Sequence, residues 1–286
     1  MYTNLWTSDE VLQIIRTALA EDLGDGDHSS LSSIHADKTS AATMLVKADG
    51  ILAGMELAKA IFQEVDAELL VEILFVDGSA VTNGDKALKV FGSTCSILRS
   101  ERVVLNFAQH LSGIATATNQ LTQKISAYKT KILDTRKTLP GLRLLEKWAA
   151  TVGGGQNHRF GLYDMILLKD NHIDAAGGIE KAIVLADEYV QAHKPGLIIE
   201  VETRNLCEVE EVLRTGKVHR IMLDNFTPEN TAIAVKLIAG RFETEASGGI
   251  TQDTIADYAK AGVDYISVGA ITHSVKAFDL SLKIDK

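Results

Sequence analysis

Only two cysteines, Cys95 and Cys207, occur in 286 residues, and they form neither a CxxC pair nor a zinc spacing. A disulfide scaffold is therefore excluded, and two isolated thiols read as core residues of a reduced, cytoplasmic protein. Proline is scarce at three residues, and no Pro- or Ser-rich linker interrupts the chain. No apolar run approaches ~18 residues, so no transmembrane helix is expected. The opening "MYTNLWTSDE" has no basic n-region and no apolar h-region, which excludes a signal peptide. Positive charge is also short. The net charge of -9 argues against nucleic acid or an anionic membrane as the main partner.

What the chain does contain is apolar residue, 46% of it, enough for a sizeable core and for two domains. Its charge is unevenly spread. Between Asp134 and His172, six cations (Arg136, Lys137, Arg143, Lys147, Arg159, Lys169) meet four acids (Asp134, Glu146, Asp164, Asp170), so this stretch is +2 and the remainder -11. A cationic stretch in an acidic body suits a small anionic ligand.

The spacing predicts a helix over 7–20, with Thr7 and Glu10 as a capping box and Val11, Ile14, Ile15, Ala18 and Leu19 on one face. "EDLGDGDHSS" reads as a loop closed by its own hydrogen bonds. It is not a calcium loop, because the twelfth position from Asp25 is Ala36 where a Glu is needed. Residues 41–92 read as β-rich. "TMLVKADGILAG" and "VEILFVDGSAV" are strands, "TNGD" is a hairpin turn, and "KALKVFGS" is the returning strand. A helical region over 100–128 follows, bent or divided at Gly113.

Then the pattern alternates. Short apolar strands at 131–135, 165–168, 197–202, 219–223, 242–246 and 264–268 are separated by helical patterns near 141–152, 178–192, 205–215, 228–239 and 252–261. Repeated β-α units mean a parallel sheet covered by helices, here a (β/α) barrel, with an open doubly wound sheet as the alternative. No GxGxxG follows the first of these strands, which weakens a dinucleotide-binding reading.

In a barrel, chemistry gathers at the C-terminal ends of the strands. The first strand here ends in Asp134, Arg136 and Lys137, and the second in Lys169, Asp170, Asn171 and His172. The third holds Glu200 and Glu202, the fourth ends in Asp224 and Asn225, the fifth in "SGG" (247–249), and the sixth in Gly269 with His273 and Ser274 beyond. Six accidental surface groups would not fall at one end of six strands. Cations on the early strands, with His158 and Arg159 of "GGGQNHRFGLYD", form a site for more than one carboxylate. Glu202 and Asp224 on neighbouring strands, beside glycine loops fit to cradle phosphate, call for a divalent cation of the Mg²⁺ kind. Glu200 either faces the same space or pairs with a nearby Lys or Arg.

"DTRKTLPGLRLLEKWAATVGGGQNHRFGLYDMILLKDNH" resembles the signature of the quinolinate phosphoribosyltransferase family, also called nicotinate-nucleotide pyrophosphorylase (carboxylating). "EVE", "LDNF", "EASGGI" and "ISVGAITHS" follow in the family's order, and "EDLGDGD" and "SERVVLNFAQHLSGIAT" resemble its N-terminal domain. The resemblance implies an α/β protein with an N-terminal α/β sandwich domain (1–113) and a C-terminal open (β/α) barrel (114–271). The tail 272–286 would pack on the first domain. It implies transfer of phosphoribose from phosphoribosyl pyrophosphate to quinolinate, with loss of CO₂, in NAD biosynthesis. Carried over by position, Arg136, His158, Arg159 and Lys169 would hold the quinolinate carboxylates. Arg102 would reach the same site from a neighbouring subunit of a homodimer, or of a hexamer built as a trimer of dimers. Lys137, Ser247, Gly248, Gly249, Gly269 and His273 would lie along the phosphates, and Glu202 and Asp224 would serve Mg²⁺ and the ribose. Lys137, Lys169, Glu202 and Asp224 would carry the catalysis. The competing readings are a paralogue of metal-transport operons with the same fold, nicotinate phosphoribosyltransferase, and a non-catalytic sensor of a phosphate ligand. Intact "TRKT", "NHR" and "LLKDNH" favour the quinolinate enzyme.

Overall fold

The computed structural model describes residues 5–285; Met1–Asn4, the start of the segment excluded above as a signal peptide, lie outside them. The chain divides into two compact units, one of residues 1–119, 139–153 and 274–286, the other of residues 120–138 and 154–273.

The first unit opens with a single 3₁₀ turn, Leu5–Thr7, and then α1 (Asp9–Leu23). The cap of α1 is Ser8 rather than Thr7: the Ser8 hydroxyl accepts the Val11 N–H. Six of the ten residues of the acidic glycine-rich stretch expected to be loop are helical. Asp27 accepts the Ser30 N–H and caps α2 (His28–Ser33). The strands are β1 (Thr39–Val46), β2 (Gly50–Ile51), β3 (Leu70–Ile73), β4 (Ala80–Val81) and β5 (Lys86–Ser93). An antiparallel sheet runs β12 (Leu280–Ile284), β1, β5, β3, with Met44 opposite both Leu282 and Leu88. The "TNGD" turn does not make a hairpin, because β4 pairs with β2 while β5 pairs with β1 and β3. Within the stretch read as β-rich lies α3 (Met55–Val65), which buries Met55, Leu57, Ala58, Ile61 and Phe62.

The long helix α4 (Thr94–Lys124) is uninterrupted, so Gly113 does not divide it. That glycine serves close approach: a Cβ there would collide with the Lys276 carbonyl oxygen. A backbone carbonyl cannot swing aside as a side chain can. Gly113→Ala should therefore cost about 1–3 kcal/mol of stability, the usual range for overpacking. A urea midpoint unchanged from wild type would show that the tail gives way freely. The last helix of this unit, α5 (Arg143–Val152), buries Glu146, Lys147 and Trp148, and Trp148 meets Trp6 edge-on at 4.6 Å. His110 Nε2 stands 2.8 Å from Glu146 Oε1. Arg143 and Lys147, counted above in the cationic stretch, thus belong to the first unit. Cys95 is half-buried and Cys207 exposed, so the second thiol is not a core residue.

The second unit contains all six strands of the alternating pattern: β6 (Lys131–Leu133), β7 (Ile166–Leu168), β8 (Ile199–Thr203), β9 (Arg220–Asp224), β10 (Glu243–Ser247) and β11 (Tyr265–Ser267). They are all parallel, in the order β6-β11-β10-β9-β8-β7. First and last strands pair, so the sheet curls around, but no ladder joins β6 to β7 and the barrel is open there. A single bridge between Leu133 and Gln156 flanks the gap. The connecting helices are α6 (Asp170–Ala176), α7 (Ile179–His193), α8 (Leu206–Thr215), α9 (Pro228–Ile238), α10 (Ile255–Ala261) and the short α11 (Ala270–His273). Their start signals are ordinary: Asn205 caps α8 and Thr227, followed by Pro228, caps α9.

Candidate active site

Successive side chains of a strand point to opposite faces. In β8 this sends Ile199, Val201 and Thr203 one way and Glu200 and Glu202 the other. The inner face of the second unit is therefore polar along much of its height, carrying Glu200 and Glu202, then Arg220, Met222 and Asp224 of β9, then Glu245 and Ser247 of β10. Above the C-terminal strand ends opens a cavity of about 890 Å³.

One wall is cationic. Arg136, Lys137, Arg159 and Lys169 all line the cavity. The β6–α5 connection that carries the first two is shaped by its own polar groups: Lys137 donates its N–H to the Thr135 hydroxyl, and its carbonyl accepts from the Thr272 hydroxyl. Arg159 is buried, with one guanidinium nitrogen donating to the Met165 carbonyl at 3.3 Å. Burial, and after it the charge of Arg136, holds the Arg159 guanidinium below its usual pKa. Two cations pressed together in this way are a site charged in advance for an anion.

Opposite stand the acids. Register pairs Glu202 with Met222, so Glu202 and Asp224 lie two residues apart on adjacent strands and on the same face. Glu202 is buried, and its carboxyl is raised above the usual carboxylate range, first by burial and further by Asp224, against the opposing pull of Lys169 at 3.6 Å. Two carboxylates that repel each other at a cavity wall fit a Mg²⁺ ion, which takes one or two protein carboxylates and leaves its other positions to phosphate and water. Beyond them, Gly248 and Gly249 have φ of +92° and +61°, conformations open to glycine, and a Cβ at Gly248 would collide with the Asn225 side chain. Asn225 itself is left-handed at φ +56° and donates to Asp224 Oδ2 at 2.6 Å. At Gly269 a Cβ would come within 3.0 Å of Lys137 and 3.1 Å of His273. Glycine there leaves room for both side chains.

At the cavity floor, which His158 and Glu245 line, the inner face holds a buried charge cluster. His158 Nε2 is 3.1 Å from Glu200 Oε2 and 3.3 Å from Glu245 Oε2, at ion-pair distance but out of hydrogen-bond alignment. Arg220 NH1 meets Glu245 at 3.1 Å, and its guanidinium lies 4.1 Å over the Tyr265 ring. Burial pushes the Glu200 carboxyl up to about 7, assisted by the neighbouring charge of Glu245. Burial opposes a charged His158, but the two acids outweigh it and push the imidazole up to about 9.

Of the residues singled out in the sequence, Arg136, Lys137, His158, Arg159, Lys169, Glu202, Asp224, Ser247, Gly248, Gly249, Gly269 and His273 all line this one cavity. Arg102 does not; it is exposed on α4 in the first unit. Glu200 faces His158 rather than the space between Glu202 and Asp224. Sequence reasoning passed over Glu245 and Arg220. The signal was present as parity: Glu245 lies two residues before Ser247, and Arg220 four before Asp224, which places both on the inner face.

Sequence models of quinolinate phosphoribosyl transferase match the chain twice, the N-terminal domain over residues 27–112 and the C-terminal domain over residues 114–283. The chain is similar to quinolinate phosphoribosyltransferase (decarboxylating) 1b of Nicotiana tabacum, at 50% identity over 95% of this chain and 81% of that one. It is similar to a chloroplastic nicotinate-nucleotide pyrophosphorylase (carboxylating) of Arabidopsis thaliana, at 49% identity over 95% of this chain and 82% of that one. Among solved structures, the nicotinate-nucleotide pyrophosphorylase of Francisella tularensis superposes with a TM-score of 0.91 at 42% identity, covering 97% of this chain and 96% of that one.

Proposed function

The chain belongs to the quinolinate phosphoribosyltransferase family, and from that premise we infer that its cavity joins quinolinate to phosphoribose from phosphoribosyl pyrophosphate. The products are nicotinate mononucleotide, pyrophosphate and CO₂, a step of NAD biosynthesis. The observation that carries this reading is the division of one cavity into a wall of cations and a wall of paired acids with glycine loops. The first suits a dicarboxylate. The second suits a phosphorylated sugar and Mg²⁺.

Arg136, His158, Arg159 and Lys169 hold the two carboxylates and aim the pyridine nitrogen across the cavity. Ser247, Gly248, Gly249, Gly269 and His273 line the phosphates. Glu202 and Asp224 hold Mg²⁺, which when bound neutralises charge on the pyrophosphate leaving group. Lys137 stabilises the same charge as the C1′–O bond breaks. Glu202 faces the ribose and stabilises positive charge at C1′. The pyridine nitrogen then forms the new C–N bond and becomes cationic. That positive nitrogen stabilises the electron pair left on ring carbon 2 when CO₂ departs, and the pair then takes up a proton to complete the ring. Decarboxylation accordingly follows transfer, and no side chain needs to act as a covalent nucleophile. The direct test is release of CO₂ from carboxyl-labelled quinolinate. It should require both phosphoribosyl pyrophosphate and Mg²⁺, and release without either would overturn the reading.

The protein is cytoplasmic on this reading, in keeping with two free thiols and with the absence, among the described residues, of a helix long and apolar enough to cross a membrane. It works as a homodimer in which Arg102 completes the partner's site. The exposure of Arg102 on α4 supports this. Arg102→Ala and Arg136→Ala should each weaken quinolinate use by about tenfold or more, the worth of one charge-assisted hydrogen bond. Mixed hybrids should regain activity at half of their sites, because one site of each hybrid then has both arginines. Proven hybrids with no recovery would place Arg102 outside the partner's site.

A further inference from the structure

Neighbouring residues of a strand point to opposite faces, so their side chains do not meet. Asp224 and Asn225 break this rule at the end of β9. The Asn225 amide nitrogen donates to Asp224 Oδ2 at 2.6 Å. An ionised carboxylate only accepts, so the amide nitrogen faces the acid and Asn225 Oδ1 faces away from it. The backbone makes the contact: at φ +56° the chain turns left-handed and folds the amide back over Asp224. Three non-glycine residues have positive φ among the described residues, Lys217, Asn225 and Ala239. Ala239 caps the end of α9, and Lys217 follows the glycine that ends α8. Of the three, only Asn225 follows a strand and lines the cavity. Left-handed backbone is strained for a residue with a side chain, least so for asparagine, and such strain gathers where a function holds it.

The same residue is tied to the glycine loop. Its backbone N–H donates to the Ser247 carbonyl at 2.8 Å, one step beyond the pairing of Asp224 with Ser247. Its side chain fills the space beside Gly248: a Cβ there would strike Asn225 Oδ1 and stand 2.8 Å from the Asn225 backbone nitrogen. One residue therefore sets both the acid and the loop. With Oδ2 held by the amide, Asp224 keeps Oδ1 for the cavity that it lines. Ligating carboxylates are commonly oriented by such an outer hydrogen bond. We propose that Asn225 is a positioning residue: its amide fixes which oxygen of Asp224 faces the phosphorylated sugar, and its backbone fixes that acid against the loop 247–249. This rests on the reading of the cavity in which Asp224 serves Mg²⁺ and phosphoribosyl pyrophosphate.

The test separates the amide from the backbone. Asn225→Gly keeps the N–H and the left-handed turn and deletes the amide. It should weaken calorimetric binding of phosphoribosyl pyrophosphate with Mg²⁺ by about tenfold, and quinolinate binding by less than about twofold. In an Asp224→Ala background the same change should cost less than about twofold, since the amide then has no carboxylate to hold. Unchanged binding in Asn225→Gly would overturn the proposal. So would losses that multiply in the double variant, which would make Asn225 a direct contact, and so would equal weakening of both substrates, which would trace the effect to the fold. Nitrogen-15 spectra of the unaltered protein read the contact itself. The Asn225 side-chain amide should give a pair with one proton shifted downfield, absent in Asn225→Gly and back in the ordinary range in Asp224→Ala. An ordinary pair in the wild type would overturn the brace. A wild-type protein that binds no phosphoribosyl pyrophosphate would sink the reading of the cavity instead, while leaving these spectra to decide on the contact.

Discussion

Asp224→Asn should cut turnover of phosphoribosyl pyrophosphate about 100- to 1,000-fold while quinolinate binds within about threefold of wild type; the first range is typical of removing one electrostatic stabiliser from an active site. The exchange is nearly isosteric, and an amide oxygen can still accept from Asn225, which now donates to Asp224 at 2.6 Å. What disappears is a negative charge beside Glu202. That charge is felt in the resting protein, where it helps to raise the Glu202 carboxyl. Asparagine should therefore let Glu202 ionise more easily, yet leave the proposed Mg²⁺ site one anionic ligand instead of two. Initial rates at several Mg²⁺ concentrations, with quinolinate binding measured separately, make the distinction. Partial recovery at high Mg²⁺ is expected. Equal loss for both substrates in a folded variant would remove Asp224 from the metal role.

The cavity was legible because its residues sit at strand ends, and the strands were legible as short apolar runs between helical patterns. "LIIEVE" and "HRIML" could be read as buried strands with polar tips before any coordinate was known. What escaped had weaker or misleading signals. The helix α3 follows Gly54, which is left-handed and offers no side chain of its own, and the distant Asp77 accepts the Met55 N–H at 2.8 Å instead. Its start therefore carries no Ser, Thr, Asp or Asn marker, although Met55, Ala58, Ile61 and Phe62 recur at helical spacing. The "TNGD" hairpin failed for a tertiary reason: β5 finds longer partners in β1 and β3 than the two residues of β4 offer. Arg143 and Lys147 were grouped with the site's cations because a charge count follows the chain, whereas the fold sends 139–153 to the first unit. Glu245 was missed because "ETEAS" shows no apolar alternation, and its inward direction follows only once Ser247 is fixed at the cavity.

Arg159→Ala should narrow the preference for quinolinate over nicotinate, which in the wild type is expected to be about 100-fold or more. Quinolinate brings two adjacent carboxylates and nicotinate one. In the free cavity Arg159 is buried and already destabilised by Arg136 beside it. A dianion relieves that repulsion, and a monoanion relieves only part of it. A charge-assisted hydrogen bond contributes roughly 1.5–3 kcal/mol, and a buried cation left unpaired costs a similar amount. About 2.8 kcal/mol corresponds to two decades of affinity. Lys169 is too exposed to impose the same penalty, since water can solvate it when a carboxylate is missing. Arg159 is therefore the cation whose pairing most sharply separates the two acids. Removing it should weaken quinolinate by tenfold or more and nicotinate by much less, so that the ratio falls toward about ten. The measurement is binding of both acids to wild type and variant at one salt concentration. An equal factor for the two would mean that Arg159 reads the carboxylate they share, and the second carboxylate would have to be assigned to Arg136 and Lys169.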